Sequence, residues 1–287
     1  MLLHLRVLAD RQDAEIIVLE AVSFIETLFE MPNALSPDQF GGGGDTAFAQ
    51  KYVSAVCELL HSQGLKARSL VQIGSPAATV ASVARRQGAT LIALAIRERA
   101  GFPQTLVHTL AEKVLRASPT PVYAVPAVTT EDGVDPPAPS GEIVIPVDGS
   151  GLSLQSIPAA AAFCRRLGGH LLFLHVLSPG SDASSVERVF RNALRESERE
   201  GIPAETLFRR GNPSSEILKV CEERQVSMIA MRTRLRAKES SGLIGSITLQ
   251  ILRSARVPML IVRRPVPPAA TAAVTTGSGA GTSREMR

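Results

Sequence analysis

The chain has 287 residues, of which 45% are apolar and 20% charged, enough for two domains that each bury a core of their own. Its net charge of +4 conceals an asymmetry: residues 1–126 carry 11 basic and 11 acidic side chains, residues 141–264 carry 18 and 12. An excess of that size favours anionic partners in general, but it falls short of the dense basic stripes of a nucleic-acid binder, and the absence of Trp leaves few platforms for stacked bases.

Cys57, Cys164 and Cys221 are odd in number and widely spaced, so neither a disulfide framework nor a metal cluster is expected, and the reducing cytoplasm is the natural home. No run approaches 18 uncharged apolar residues, which argues against a membrane span. Arg6, Asp10 and Arg11 interrupt the apolar start, and no cleavage pattern follows.

In chain order, residues 15–19 form an apolar run that reads as a strand. Residues 24–46 contain Pro32, Pro37 and a Gly run, the composition of a surface loop. Residues 128–140, rich in Pro and acidic side chains, read as a linker between a first domain, 1–127, and a second, 141–264; residues 265–287 lack apolar periodicity and read as a disordered tail. Within the second domain, the pattern predicts strands over 143–147, 171–176, 204–209, 227–231 and 258–262. Helices are predicted over 153–167, 184–200, 214–224 and 245–254. Asn212-Pro213 starts one of these helices, Pro suiting a position whose N–H has no helical partner.

The two halves repeat. Adding 137 places Gln63-Gly64-Leu65 on Glu200-Gly201-Ile202, Gly74-Ser75-Pro76 on Gly211-Asn212-Pro213, and Leu91-Ile92-Ala93-Leu94 on Met228-Ile229-Ala230-Met231. The same offset brings Val114-Leu115-Arg116 to Ile251-Leu252-Arg253 and residues 121–125 to 258–262. Upstream the offset becomes 155, with residues 15–19 on 170–174, so the first copy carries 18 additional residues between the two blocks. Short apolar strands alternating with helices predict an α/β fold with parallel sheets covered on both faces: two Rossmann-like, doubly wound domains.

The run Val144-Ile145-Pro146-Val147-Asp148-Gly149-Ser150, the strand end Leu174-His175-Val176, Gly245-Ser246-Ile247 and the closing Val257-Pro258-Met259-Leu260-Ile261-Val262 resemble the universal stress protein family. The resemblance implies strand order 3-2-1-4-5 in the second domain and an adenine-nucleotide site, such as one for ATP, where the order reverses. Carried over, the site comprises Pro146, Val147 and Asp148 after the first strand, Val176 on the second, Met231, Arg232 and Arg234 after the fourth, and Gly245, Ser246 and Ile247 at the next helix. In members that hold ATP, a Gly-x2-Gly-x9-Gly-(Ser/Thr) loop wraps the phosphates. Here Arg232 and Leu235 stand where the first two glycines would be, which obstructs backbone approach and makes the site degenerate. Arg232, Arg234, Arg236 and Lys238 offer side-chain cations in place of backbone amides; the competing reading is a solvated basic loop. In the first copy, Ala95 and Glu98 replace the early glycines and His108-Thr109 the last pair, so no nucleotide is expected there.

At offset 155, Met1 falls on Ser156, and the first copy lacks the counterpart of residues 141–155, its central strand. Either translation begins fifteen or more residues upstream, the explanation favoured here, or the copy has decayed and its remaining strands close up. Mass spectrometry of the native N-terminus separates the two.

No G-x-S-x-G, Walker loop or H-E-x-x-H occurs, and Ser150 has no patterned base, so a non-enzymatic stress-response or regulatory role is expected. The alternative is a nucleotide-dependent switch or weak ATP hydrolase. Asp148 reads alternatively as a turn residue, and His175 as a packed strand-end histidine. The resemblance implies association through the fifth strand, here pairing of the two domains within the chain through residues 121–125 and 258–262; a homodimer and an unidentified protein partner are the other expected associations.

Overall fold

The computed structural model describes residues 9, 14–22, 43–97, 104–127, 141–178, 180, 184, 186–233 and 244–263. The first half contributes β1 (Glu15–Val22), α1 (Gly43–Ser62), β2 (Lys66–Ile73), α2 (Pro76–Arg86), β3 (Ile92–Arg97), α3 (Gln104–Ala117) and β4 (Val122–Ala127). The second contributes β5 (Glu142–Pro146), α4 (Ile157–Leu167), β6 (His170–Leu177), α5 (Val186–Glu200), β7 (Ala204–Arg210), α6 (Pro213–Glu223), β8 (Met228–Arg232), α7 (Ser246–Ser254) and β9 (Met259–Val262). The linker, the tail and most of the loop expected over 24–46 lie outside the described residues, but the last part of that loop is not loop at all: Gly43 already opens α1.

Local chemistry sets the element ends. The helix expected over 153–167 divides into a 3-10 turn, Ser153–Ser156, and α4. Pro158 is the cause: it has no N–H for the Leu154 carbonyl, and its ring crowds that carbonyl, so the α-helical ladder cannot extend backward through it. Gly168 ends α4 in the left-handed conformation (φ 64°) that a glycine adopts without steric cost. Asn212 caps α6, its side-chain oxygen accepting the Ser215 N–H, and Pro213 occupies the first turn.

The second half is a parallel sheet in the order β7-β6-β5-β8-β9. Its middle strands are buried without alternation because helices cover both faces. On one face Val144, Leu172, Leu174, Ile229 and Met231 pack with Ile217, Val220, Ile251 and Leu252 from α6 and α7. On the other, Ile143, Ile145, Leu171, Phe173 and Ala230 pack with Ile157, Ala160, Ala161 and Cys164 of α4 and Val189 and Ala193 of α5. Each large side chain so buried contributes about 1.5–3 kcal/mol.

The first half splits. β3 and β4 pair in parallel, and β4 joins β9 antiparallel (Val122 opposite Ile261, Tyr123 opposite Leu260), making one seven-stranded sheet. β1 and β2 form a separate two-stranded sheet. The repeat makes β1 the counterpart of β6 and β3 that of β8, and these are the strands that flank β5. Among the described residues no strand lies between β1 and β3, so the sheet parts where a central strand would lie. Lost burial follows: β1 is half-buried along its length where β6 is buried, and Ala93 and Ala95 of β3 are exposed where Ala230 and its β8 neighbours are not.

The halves are also tied side chain to side chain. The Arg253 guanidinium donates to the buried Glu112 carboxylate at 2.8 and 3.2 Å, and Arg263 Nη1 donates to the carbonyls of Leu115, Arg116 and Ser118 at the end of α3. The latter contact places a cation where the helix dipole is negative.

Candidate functional site

Because β5 is central and parallel to both neighbours, its carboxyl end lies between those of β6 and β8, and the chain leaves β5 and β8 for helices on opposite faces of the sheet, α4 and α7. A crevice at such a reversal is where open α/β sheets bind ligands. Pro146 ends β5; Val147, buried, donates its N–H to the Leu174 carbonyl at 2.9 Å. Val176 of β6 and Met231 of β8 pack into the α6/α7 face. Gly245 caps α7, and Ser246 and Ile247 form its exposed first turn. The described site residues are therefore brought to one end of one sheet. Arg234, with Arg236 and Lys238, lies outside the described residues, as does Glu98 of the first half.

Three features define what this end can hold. The first-turn amides of α7 have no intrahelical acceptor, so the helix presents partial positive charge to the crevice. Gly245 leaves room there: a methyl group at its Cβ position would come no nearer than 3.7 Å to Thr248 Oγ1 and 3.9 Å to Thr233 Oγ1, and its φ of −56° is open to any residue. Nothing in the local backbone demands glycine. Arg232, in place of a phosphate-loop glycine, ends β8 with its Nε sealed from solvent and without a hydrogen-bond partner among the described residues.

Asp148 is exposed, and much of its carboxylate is used locally. Its Oδ1 accepts from the Ser150 N–H at 2.9 Å and the Ser150 hydroxyl at 2.5 Å, an Asx turn. Gly149 follows at φ 80°. The turn-residue reading of Asp148 thus holds alongside any contact it makes with a ligand. His175 is buried, its ring N–H (Nδ1) donating to the Val147 carbonyl at 2.6 Å, with the ring lying between Phe190 and Phe208. It packs under the loop that carries Asp148.

Two residues escaped the sequence reading. Thr233, buried, accepts the Gly245 N–H on its hydroxyl at 3.3 Å and ties the start of α7 to the end of β8. Ser153 accepts the Asp148 N–H at 3.4 Å and donates to the Ser150 carbonyl. A lone Thr after a strand or Ser before a helix carries no pattern that would have marked either. The three thiols are free and buried; desolvation raises all three, Cys164 and Cys221 to about 12, which keeps them protonated. A depression of about 160 Å³ between Leu218, Cys221, Ala255 and Val257 lies at the other end of the sheet. Among the described residues no His, Cys, Asp and Glu cluster could hold a metal, and no helix is long and apolar enough to cross a membrane.

A tandem α/β protein whose second unit reverses its strand order at β5 is the class that the fold defines. The profile of the Universal stress protein family matches residues 2–126 and again 140–263, so the chain belongs to that family. Two curated relatives are each similar to part of it. Universal stress protein MJ0531 of Methanocaldococcus jannaschii is 26% identical over 43% of this chain and 82% of its own length; YxiE of Bacillus subtilis is 25% identical over 42% and 98%. Among solved structures, a universal stress protein from Archaeoglobus fulgidus aligns with a TM-score of 0.72 at 20% identity, over 92% of this chain and 91% of that one. At that identity the likeness speaks for the fold.

Proposed function

We propose that the protein is a non-catalytic, cytoplasmic stress-response or regulatory module whose second half binds an adenine nucleotide or a comparable small polyanion weakly, through a degenerate site. The observation that carries this reading is Arg232. A guanidinium whose buried Nε has no partner among the described residues stands at the end of β8, where a phosphate-wrapping glycine would be, beside a helix start that leaves space at Gly245. Side-chain cation and helix amides together suit phosphate, while a side chain in place of glycine weakens the grip that a backbone cradle gives. Among the described residues the thiols are buried and protonated, the Ser150 hydroxyl donates to Asp148, and His175 donates from Nδ1 to the Val147 carbonyl while its Nε2 is sealed from solvent. The free, buried thiols suit a reducing compartment.

Isothermal titration with ATP, ADP and inorganic tripolyphosphate tests this. Wild-type protein is expected to bind in the high-micromolar range or weaker, Arg232→Ala to lose about tenfold, and Gly245→Val to lose binding. Equal binding by wild type and Arg232→Ala would remove the anion-site reading. ATP turnover that survives purification and is lost in Arg232→Ala would replace it with a weak hydrolase.

A further inference from the structure

We propose that His175 is a positioning residue for the crevice: its ring N–H holds the Val147 carbonyl out of the β5–β6 ladder, which keeps the Asp148 loop on the α5 side of the sheet and the mouth between β5 and β6 open to a small anionic ligand. The ligand half of this inference rests on the binding reading above; the structural half stands on the backbone alone. Pro146 lies opposite Leu174 across the two parallel strands, so Val147 falls opposite His175. A parallel ladder in that register takes the Val147 N–H to the Leu174 carbonyl and the Val176 N–H to the Val147 carbonyl. The first bond is made, at 2.9 Å. The second is not among the backbone bonds of the described residues, and the His175 ring N–H (Nδ1) takes that carbonyl at 2.6 Å instead.

Strand alternation gives the direction of the pull. Leu174 and Val176 pack on the α6/α7 face, so His175 points to the other, where its ring meets Phe190 of α5 edge-on at 6.2 Å and stacks on Phe208 of β7 at 6.4 Å between centroids. The Val147 carbonyl is drawn to that same face, and the loop after it stays there. Gly149 lies against α5, since a Cβ at its position would fall 3.1 Å from Val189 Cγ2. Ser153 Oγ accepts the Asp148 N–H at 3.4 Å and donates to the Ser150 carbonyl at 2.9 Å. Nε2 of the ring is sealed from solvent with no partner among the described residues, so the imidazole brings one useful bond to a place that a leucine would fill without polar cost. Buried carbonyls are rarely left unpaired. Without the ring N–H, the ladder donor of the Val147 carbonyl is the Val176 N–H; β5 and β6 then gain a rung, and the Asp148 loop moves toward the crevice.

Amide hydrogen exchange and titration with inorganic tripolyphosphate, on the full chain, test this with His175→Leu and His175→Asn. In wild type the Val176 amide is expected to exchange at least tenfold faster than that of Leu174, which lies within the ladder. His175→Leu is expected to slow Val176 about tenfold and to weaken tripolyphosphate binding about tenfold. His175→Asn, whose side-chain N–H can reach the same carbonyl, is expected to keep both within about threefold of wild type. Lost packing alone would speed exchange at Val176 together with the rest of β6, so the sign of the change separates positioning from bulk. Faster or unchanged exchange at Val176 in His175→Leu would overturn the proposal, as would His175→Asn behaving like His175→Leu. If His175→Leu does not fold, wild type still decides: a Val176 amide as protected as that of Leu174 means that the rung is already made and the proposal fails. Absence of tripolyphosphate binding in wild type would remove the ligand reading while the exchange results still judge the role of His175.

Discussion

Replacing Glu142 by Gln perturbs the second half at the start of its central strand, and the structure bounds the cost. Glu142 is 8% exposed and accepts two hydrogen bonds from Arg224, whose side chain is 35% exposed and also serves Glu205. Removing one partner of a fully buried pair costs about 3–5 kcal/mol. Breaking an exposed pair costs about 0–1 kcal/mol. One buried carboxylate facing a cation still open to water falls between, at about 2 kcal/mol. The pair also raises the Arg224 pKa, chiefly through its hydrogen bond to Glu142. Because two halves need not unfold together, the readout should be exchange of β5 and β8 amides under increasing urea, not a single melting curve. A cycle of Glu142→Gln, Arg224→Met and the double variant should give a coupling of about 1–2 kcal/mol. Single effects that add to within about 0.4 kcal/mol would refute the pair as an anchor of the strand that leads to Asp148.

Three further outcomes are expected. Gly169→Ala should destabilise the second half by about 3 kcal/mol or prevent its folding, since the new Cβ would lie 1.8 Å from the Gly141 carbonyl oxygen; urea unfolding at normal midpoint would contradict the close approach. Burial, with Glu142 and Glu222 adding to it, raises the Cys221 thiol from 9.0 to about 12, so the folded chain keeps a proton that the unfolded chain loses above pH 9. Its contribution is therefore full below pH 9 and falls by about 1.4 kcal/mol per pH unit between 9 and 12; Cys221→Ala should flatten that decline, and urea midpoints at pH 8 and 10 measure it. Glu112→Gln should loosen the two halves, seen as faster exchange along β4 and β9 with β6 and β7 unchanged; uniform acceleration would count against a local tie.

Much of the architecture was legible because it is written in periodicity and repetition. Gapless matching at offset 137 assigned α2, β3, α3 and β4 their counterparts before any coordinates, and apolar runs without alternation marked strands buried on both faces. Boundaries moved where one residue outweighed the pattern, as Pro158 did in dividing the helix over 153–167. Of the site, Asp148, Val176, Arg232 and Gly245 were legible as positions in a resemblance, but their condition was not. That Asp148 caps its own turn, that His175 packs against Phe190 and Phe208, and that Arg232 leaves its Nε without a partner among the described residues are facts of three-dimensional neighbourhood.

By itself, then, the order of residues determined that this chain is one strand-and-helix unit used twice, because hydrophobic spacing and glycine or proline punctuation act over a few neighbours along the chain. Only the tertiary structure decided that β4 and β9 join the copies into a single sheet, that β1 and β2 separate from it, and that Arg253 reaches Glu112 across the two halves. Those outcomes depend on which backbone edges and charges are opposed in space, and residues 100 or more positions apart have no local signal of their pairing.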